Sequence, residues 1–305
     1  GDGTTKSSNT PQFVDGISDA TSVATGNQHS CAIDGGEVKC WGANSSGQLG
    51  DGTTTSRNTP KAATVFNAPV ATGLVAGANH TCAIYDQKVK CWGSNASGQL
   101  ARDRFISTYS TPVDISGVSS ATIVAAGQAH SCAIDDGQVK CWGTNSAGQL
   151  GDGTLSARIT ATPATGVTGA TELVAGSSHT CAIDRGEVKC WGLNSDGQIG
   201  DGTTTTRLAI TTVGATAGAT GLTAGFSHTC AILGTQVKCW GNNASGQLGD
   251  GTTTRRNTAT PLSSLGSTTA LAAGGYVTCA KDAGQVKCWG SNNVGQLGDG
   301  TNVSR

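Results

Sequence analysis

The stretch HSCAIDGGEVKCWG, residues 29–42, decides the fold, because the chain repeats it five more times with the cysteines in the same places. The copies stand at 80–93, 130–143, 179–192, 228–241 and 277–290, and each begins with His except the last, where Val277 replaces it. Read as a hairpin, the stretch sets Cys31 opposite Cys40, Ala32 opposite Lys39, Ile33 opposite Val38 and Asp34 opposite Glu37. Gly35-Gly36 is left as a two-residue turn. The same register puts turns at Asp86-Gln87, Asp136-Gly137, Arg185-Gly186, Gly234-Thr235 and Ala283-Gly284, mostly residues that tolerate the positive φ of tight hairpins.

Counting outward from such a turn, the cysteines land on a non-hydrogen-bonded pair, where Cα atoms approach to about 4.5 Å. That separation is within disulfide reach. Six local bridges are therefore expected: Cys31 to Cys40, Cys82 to Cys91, Cys132 to Cys141, Cys181 to Cys190, Cys230 to Cys239 and Cys279 to Cys288. Eight residues between partners do not suit a zinc site, which favours Cys-x2-4-Cys. Six staples point to an oxidising compartment.

Beyond each hairpin lies a polar stretch ending in GQLGDGT or a variant, and successive cysteine pairs are 49 to 51 residues apart. The copies run approximately 1–49, 50–100, 101–150, 151–199, 200–248 and 249–297, and 298–305 (GDGTNVSR) restarts the motif that opens the chain. A Gly-rich period near fifty residues, with β-branched residues and one Trp per unit, reads as propeller blades. No segment holds a helical apolar period, and short runs such as 171–175, 180–183, 187–191 and 111–115 read as strands. The expected fold is all-β: a single domain over 1–305, a β-propeller of six four-stranded antiparallel blades. A closed ring is the first expectation and an open arc of a larger array the alternative.

Composition narrows the partners. Charged residues are 13% of the chain, about half the usual share, and the formal net charge is −1. No global field draws in nucleic acid or an anionic membrane. No apolar run approaches the ~18 residues of a membrane span, so membrane insertion is not expected and the chain reads as soluble. It contains no Met and opens without a signal peptide, which predicts a processing boundary within a longer precursor.

Across 29–53, HSCAIDGGEVKCWGANSSGQLGDGT, the chain resembles the regulator of chromosome condensation repeat family, in a His-[Ser/Thr] element that returns in every copy except the last, where Val277 stands in the His place, a Trp-Gly-x-Asn element that returns in all six, and a Gly-Gln-Leu-Gly element varied only to GQLA at 98–101 and GQIG at 197–200. The resemblance implies a β-propeller, seven-bladed in most members, and a family that hosts nucleotide exchange on a nuclear GTPase, ultraviolet sensing and inhibition of secreted β-lactamases. Fold alone does not choose among these. The sensors place Trp in the Gly-x-x-His turn, where this chain has pairs such as Asn27-Gln28 and Gly275-Tyr276. The near-constant repeat length leaves no room for an exchange factor's inserted wedge.

Several constellations read as structural. The histidines 29, 80, 130, 179 and 228, one per blade, are too widely spaced for a compact metal shell and are expected to make structural hydrogen bonds. The six lysines at 39, 90, 140, 189, 238 and 287 are expected to be solvated. The Asp of each GDGT loop should bond its own backbone, and the tryptophans should pack between blades. Sequons at Asn44, Asn79, Asn95, Asn243 and Asn302 are candidate glycan acceptors. With no catalytic arrangement, no enzyme activity, metal or other cofactor is expected.

Function should then lie where the repeat breaks. The clearest breaks are at 101–109, where GDGT gives way to Arg102, Arg104, Phe105 and Tyr109, and at Phe226 and Tyr276 before the His slot. Arg and aromatic residues are enriched at binding hot spots, so these six are the candidate partner contacts. The expected function is a non-catalytic extracellular structural or adhesive scaffold, secreted or at the cell surface, that binds a protein partner or itself. The alternative is a secreted inhibitor of an extracellular enzyme, with guanine nucleotide exchange behind both. No small-molecule or glycan ligand is assigned.

Overall fold

The computed structural model describes residues 1–65 and 70–305 and is all-β. Blade 1 holds β1 (Ala20–Thr25), β2 (His29–Asp34), β3 (Glu37–Gly42) and β4 (Arg57–Ala62). Blade 2 holds β5 (Ala71–Ala76), β6 (His80–Tyr85), β7 (Lys88–Ser94) and β8 (Thr108–Asp114), and blade 3 holds β9 (Ala121–Ala126), β10 (His130–Asp135), β11 (Gln138–Gly143) and β12 (Arg158–Pro163). Blade 4 holds β13 (Ala170–Ala175), β14 (His179–Asp184), β15 (Glu187–Gly192) and β16 (Arg207–Thr212). Blade 5 holds β17 (Ala219–Ala224), β18 (His228–Leu233), β19 (Gln236–Gly241) and β20 (Arg256–Pro261), and blade 6 holds β21 (Thr268–Gly274), β22 (Val277–Asp282) and β23 (Gln285–Gly290). Every blade is an antiparallel meander in chain order, which makes the fold a six-bladed β-propeller.

The sixth blade corrects the expectation of four strands throughout. In blades 1, 3, 4 and 5 the fourth strand opens with an Arg opposite the Gly of Trp-Gly, as Arg57 pairs with Gly42. Arg305 forms this first rung alone, exchanging backbone bonds of 2.7 and 3.1 Å with Gly290.

The hairpin register is the expected one in all six blades. All twelve cysteines are bonded in the local pairs, with Cα separations of 4.0 to 4.1 Å. The turns take positive φ as their residues allow, for example 57° and 84° at Gly35-Gly36 and 49° and 60° at Asp86-Gln87. Gly42 has a further reason to be glycine: at φ 106° its missing Cβ would sit 2.5 Å from the Gln28 carbonyl oxygen.

The core lies between blades. Ile33, Val38 and the Cys31–Cys40 bridge on blade 1 pack against Ala71, Leu74, Ala83 and Trp92 of blade 2, and the same slots pair blades 2 with 3, 4 with 5 and 5 with 6. The indoles of Trp92, Trp142, Trp191 and Trp240 are fully buried, as expected of one Trp per stacked unit. Two faces that other blades bury are open: Val23 on β1 and Val286 on β23 are 71% and 74% exposed.

Contacts divide the chain into two compact units. One comprises Gly1–Lys6, Gln12–Ser146 and Leu155–Ala164, the other Ser7–Pro11, Ala147–Thr154 and Thr165–Arg305. Within the second, Asn9 accepts the Gly300 N–H at 2.8 Å, the bond that Asn257 accepts from Gly202. Ser7–Pro11 thus lies against the blade 6 loop as a following blade's fourth strand would.

Candidate functional site

A meander of four strands brings its first turn and its third connection to the same end of the blade. The backbone ties the two together: Ala43 N–H donates to Gln28 O, Asn242 N–H to Ser227 O and Ser291 N–H to Tyr276 O, at 2.8 to 2.9 Å. Both kinds of repeat break fall at this end, since the 101–109 break is in a third connection and Phe226 and Tyr276 are in first turns.

The regular third connection is built around a buried Asn. Asn44 Nδ2 donates to Asp51 Oδ1, Thr53 O and Thr55 O, while its Oδ1 accepts the Leu49 N–H. Asp51 accepts its own loop's Thr53 N–H, as expected, and also holds Arg57 at 2.8 Å, a partner that the spacing of Asp and Arg six residues apart could have revealed. Three sequons are overturned here: Asn44, Asn95 and Asn243 are fully buried with side chains consumed by this network, so a glycan has no access. Asn79 and Asn302 are exposed.

In blade 2 the break separates the four candidates. Arg102 replaces the loop Asp and turns along the surface, its Nη2 donating to Asp114 O at 2.8 Å. Tyr109 packs against the apolar core between blades 2 and 3. Phe105 points outward, 95% exposed, on a loop held by Asp103 Oδ1 accepting the Phe105 N–H and by Asn95 Nδ2 donating to Asp103 O and Ile106 O. Arg104 is exposed beside it. Sequence reasoning missed Ile106, Leu155 and Ile159, which are also exposed at 55%, 55% and 39%; aligning the loops slot by slot against their Thr and Asn counterparts would have found them.

Phe226 and Tyr276 do meet, in edge-to-face geometry with ring centroids 5.5 Å apart. The chain of bonds between successive turns sets them there: Ser177 N–H donates to Phe226 O and Phe226 N–H to Gly275 O. Tyr276 is 46% exposed.

The histidines serve between blades, as expected. His29 Nε2 lies 2.9 Å from Thr81 Oγ1, which donates to Gln48 O, the carbonyl that also receives Trp92 Nε1–H. Because the hydroxyl proton is committed to the carbonyl, His29 must carry its proton on Nε2. His80 with Ser131, His179 with Thr229 and His228 with Thr278 repeat the latch. Nδ1 is left buried without a partner, and burial lowers these imidazoles well below 6.5, to about 4 at His29 and His228 and about 3 at His80 and His179.

The lysines correct a further expectation. They are not merely solvated: Lys39, Lys140, Lys189 and Lys287 lie 2.6 to 2.7 Å from the hairpin carboxylates Asp34, Asp135, Asp184 and Asp282. Those carboxylates also cap the loop entering their own blade, Asp34 accepting the N–H groups of Ser18 and Asp19. The Lys39 hydrogen bond, with these backbone donors, holds Asp34 down to about 2. Lys90 pairs with Asp114, and Lys238 donates to Ala215 O.

No group of three or more His, Cys, Asp or Glu side chains suited to a metal occurs among the described residues. A groove of about 850 Å³ beside Trp289 and Leu262 is lined by glycines and hydroxyls, and its one charged group, Arg305, is bound to Asp299. No described helix is long and apolar enough to cross a membrane.

The molecule is thus a propeller of disulfide-stapled blades whose conspicuous side chains gather on loops, a class that offers surfaces for protein interaction. The RCC1-like domain model matches residues 1–305, and the chain belongs to that family. Among solved structures it is similar to yeast RCC1 (Prp20) bound to Kap60, at 22% identity and TM-score 0.80 over 93% of this chain and 72% of that one. It is also similar to human WBSCR16, at 22% identity and TM-score 0.74 over 84% and 70%. The ectodomain of the Arabidopsis thaliana receptor kinase ACR4 matches at 19% identity and TM-score 0.54 over 93% and 81%.

Proposed function

We propose that this chain is a non-catalytic extracellular binding scaffold, secreted or held at a cell surface, that takes up a protein partner at the loop end of its blades. The observation that carries this reading is the placement of the repeat breaks. A building block joined through opposite faces needs distinctive residues at both ends of its blades, whereas Phe105 and the Phe226–Tyr276 pair stand at the same end of their respective blades. Protein partners are in keeping with the printed descriptions of relatives, Kap60 for yeast RCC1 and Gsp1p and histones for Prp20p. Six disulfides favour an oxidising setting over the intracellular one that nucleotide exchange needs.

The test is capture from culture medium by the immobilised, oxidised chain, with a sample of matched blades unfolded by reduction as control. Recovery of one or a few extracellular proteins at stoichiometric amounts is expected. Ordered end-to-end polymers of the chain, seen by electron microscopy with no partner captured, would instead support the structural role.

A further inference from the structure

Blades 2 and 3 carry apolar side chains at loop slots that are polar in most other repeats, the exceptions being Leu208 in the slot of Ile159 and Val303 in the slot of Ile106. Phe105 and Leu155 occupy the slot of Thr54, Thr204 and Thr253, and Ile106 that of Thr55, Thr205 and Thr254. Ile159 stands where blades 1 and 5 have Asn58 and Asn257. These side chains cost solubility and contribute little to the fold, since Phe105 is almost wholly in water. The loop that presents Phe105 is nevertheless fixed by the Asn95 and Asp103 hydrogen bonds, so little ordering cost would attend binding there.

A charge stands with them. Arg104 Nε and Ile159 Cγ2 both border the space over Gly98, at 3.8 and 3.0 Å from where its Cβ would be. Arg104 has no ion pair among the described residues, and within the loop Arg102 and Arg104 outnumber the one carboxylate, Asp103. A guanidinium beside apolar groups matches a carboxylate beside apolar groups, because the Arg fork donates two parallel hydrogen bonds to the two carboxylate oxygens.

Resting on the protein-binding reading above, we propose that this rim of blades 2 and 3 binds a protein segment presenting an Asp or Glu within a few residues of a bulky apolar side chain. Arg104 takes the carboxylate, and Phe105 with Ile159 takes the apolar group. The test is selection of random peptides on the immobilised oxidised chain, with subtraction on the Arg104→Glu/Phe105→Ser double variant. Enriched peptides are expected to pair an acidic with an apolar residue. A synthetic copy should lose at least tenfold in affinity with either single variant, and about nothing with Thr204→Ser in blade 4. Swapping the peptide's acid for Lys should restore binding to Arg104→Glu. Because both side chains are exposed, circular dichroism of each variant should match the parent.

No enrichment, enrichment of peptides lacking an acid, or affinities unchanged by the variants would overturn the assignment. So would equal dependence on Phe105 of binding to vesicles containing phosphatidylserine, which would make the patch a lipid contact. If the double variant still captures the parent's partners from medium, this rim is wrong and the scaffold reading stands. If selected peptides bind at the rim while medium yields no partner, the scaffold reading fails instead.

Discussion

The latch histidines show how a single buried group ties stability to pH. An unfolded imidazole titrates near 6.5, whereas His29, His80, His179 and His228 stay neutral down to about 3 to 4 because burial opposes their charge. Below pH 6.5 the unfolded chain binds protons that the folded chain refuses, so the contribution of these residues is complete above pH 6.5 and is lost as pH falls towards 4. The urea midpoint is expected to drop between pH 7 and pH 4.5, ahead of the loss from Asp34 and Asp282, which are held down to about 2 and begin to release their contribution only below pH 4. His80→Val installs the residue that blade 6 has at Val277. It should cost about 1 kcal/mol at pH 7 for the lost hydrogen bond and flatten the pH dependence. An unaltered slope would show that His80 is not a neutral group titrating in the unfolded chain. The sequence made a structural His legible through its regular slot, but its hydrogen-bond partner sits about fifty residues away on the next blade and no local pattern reveals it.

At the scale of the element, the hairpins of blades 1, 3, 4 and 6 are braced twice, by the disulfide and by an Asp–Lys pair nearer the tip. Asp184 accepts the Gly169 N–H at 2.8 Å and Lys189 Nζ at 2.6 Å while 3% exposed. Asp184→Ala should therefore destabilise by about 1 to 3 kcal/mol, mainly by stranding the backbone donor, whereas Lys189→Ala should cost under about 1 kcal/mol, as a partly exposed partner does. Equal losses in thermal or urea unfolding would contradict this division. The bridges themselves differ in access. Cys181 and Cys190 are fully buried, while Cys279 and Cys288 on the open face of blade 6 are only partly so. Under native conditions with dithiothreitol, thiol trapping should find the Cys279–Cys288 bridge reduced first and the other five protected until their blades open. Simultaneous loss of all six would indicate one global unfolding event. The register of these hairpins could be counted from the turn residues alone. The lysine pairing could not, because Asp34 lies diagonally across from Lys39 and the direction of its carboxylate depends on the loop at Ser18 and Asp19.

For the molecule as a whole, repetition spreads stability over neighbouring blades and leaves each blade with too small a core to hold without a neighbour or a staple. The chain should accumulate as folded protein when exported to an oxidising compartment and as aggregate when made in a reducing cytosol. Folded, fully reduced material with an undiminished melting temperature would remove the main support for an extracellular role. Periodicity, turn chemistry and cysteine spacing sufficed to determine six blades, their register and all six bridges, because each depends on contacts within one hairpin of about fourteen residues. Tertiary structure decided the rest. It sealed Asn44, Asn95 and Asn243 inside their loops, turned Tyr109 into the core while leaving Phe105 in water, and brought Phe226 against Tyr276. The burial of each Asn depends on how its own loop closes over it, and the other outcomes on how side chains fall against the next blade, neither of which the order of residues alone specifies.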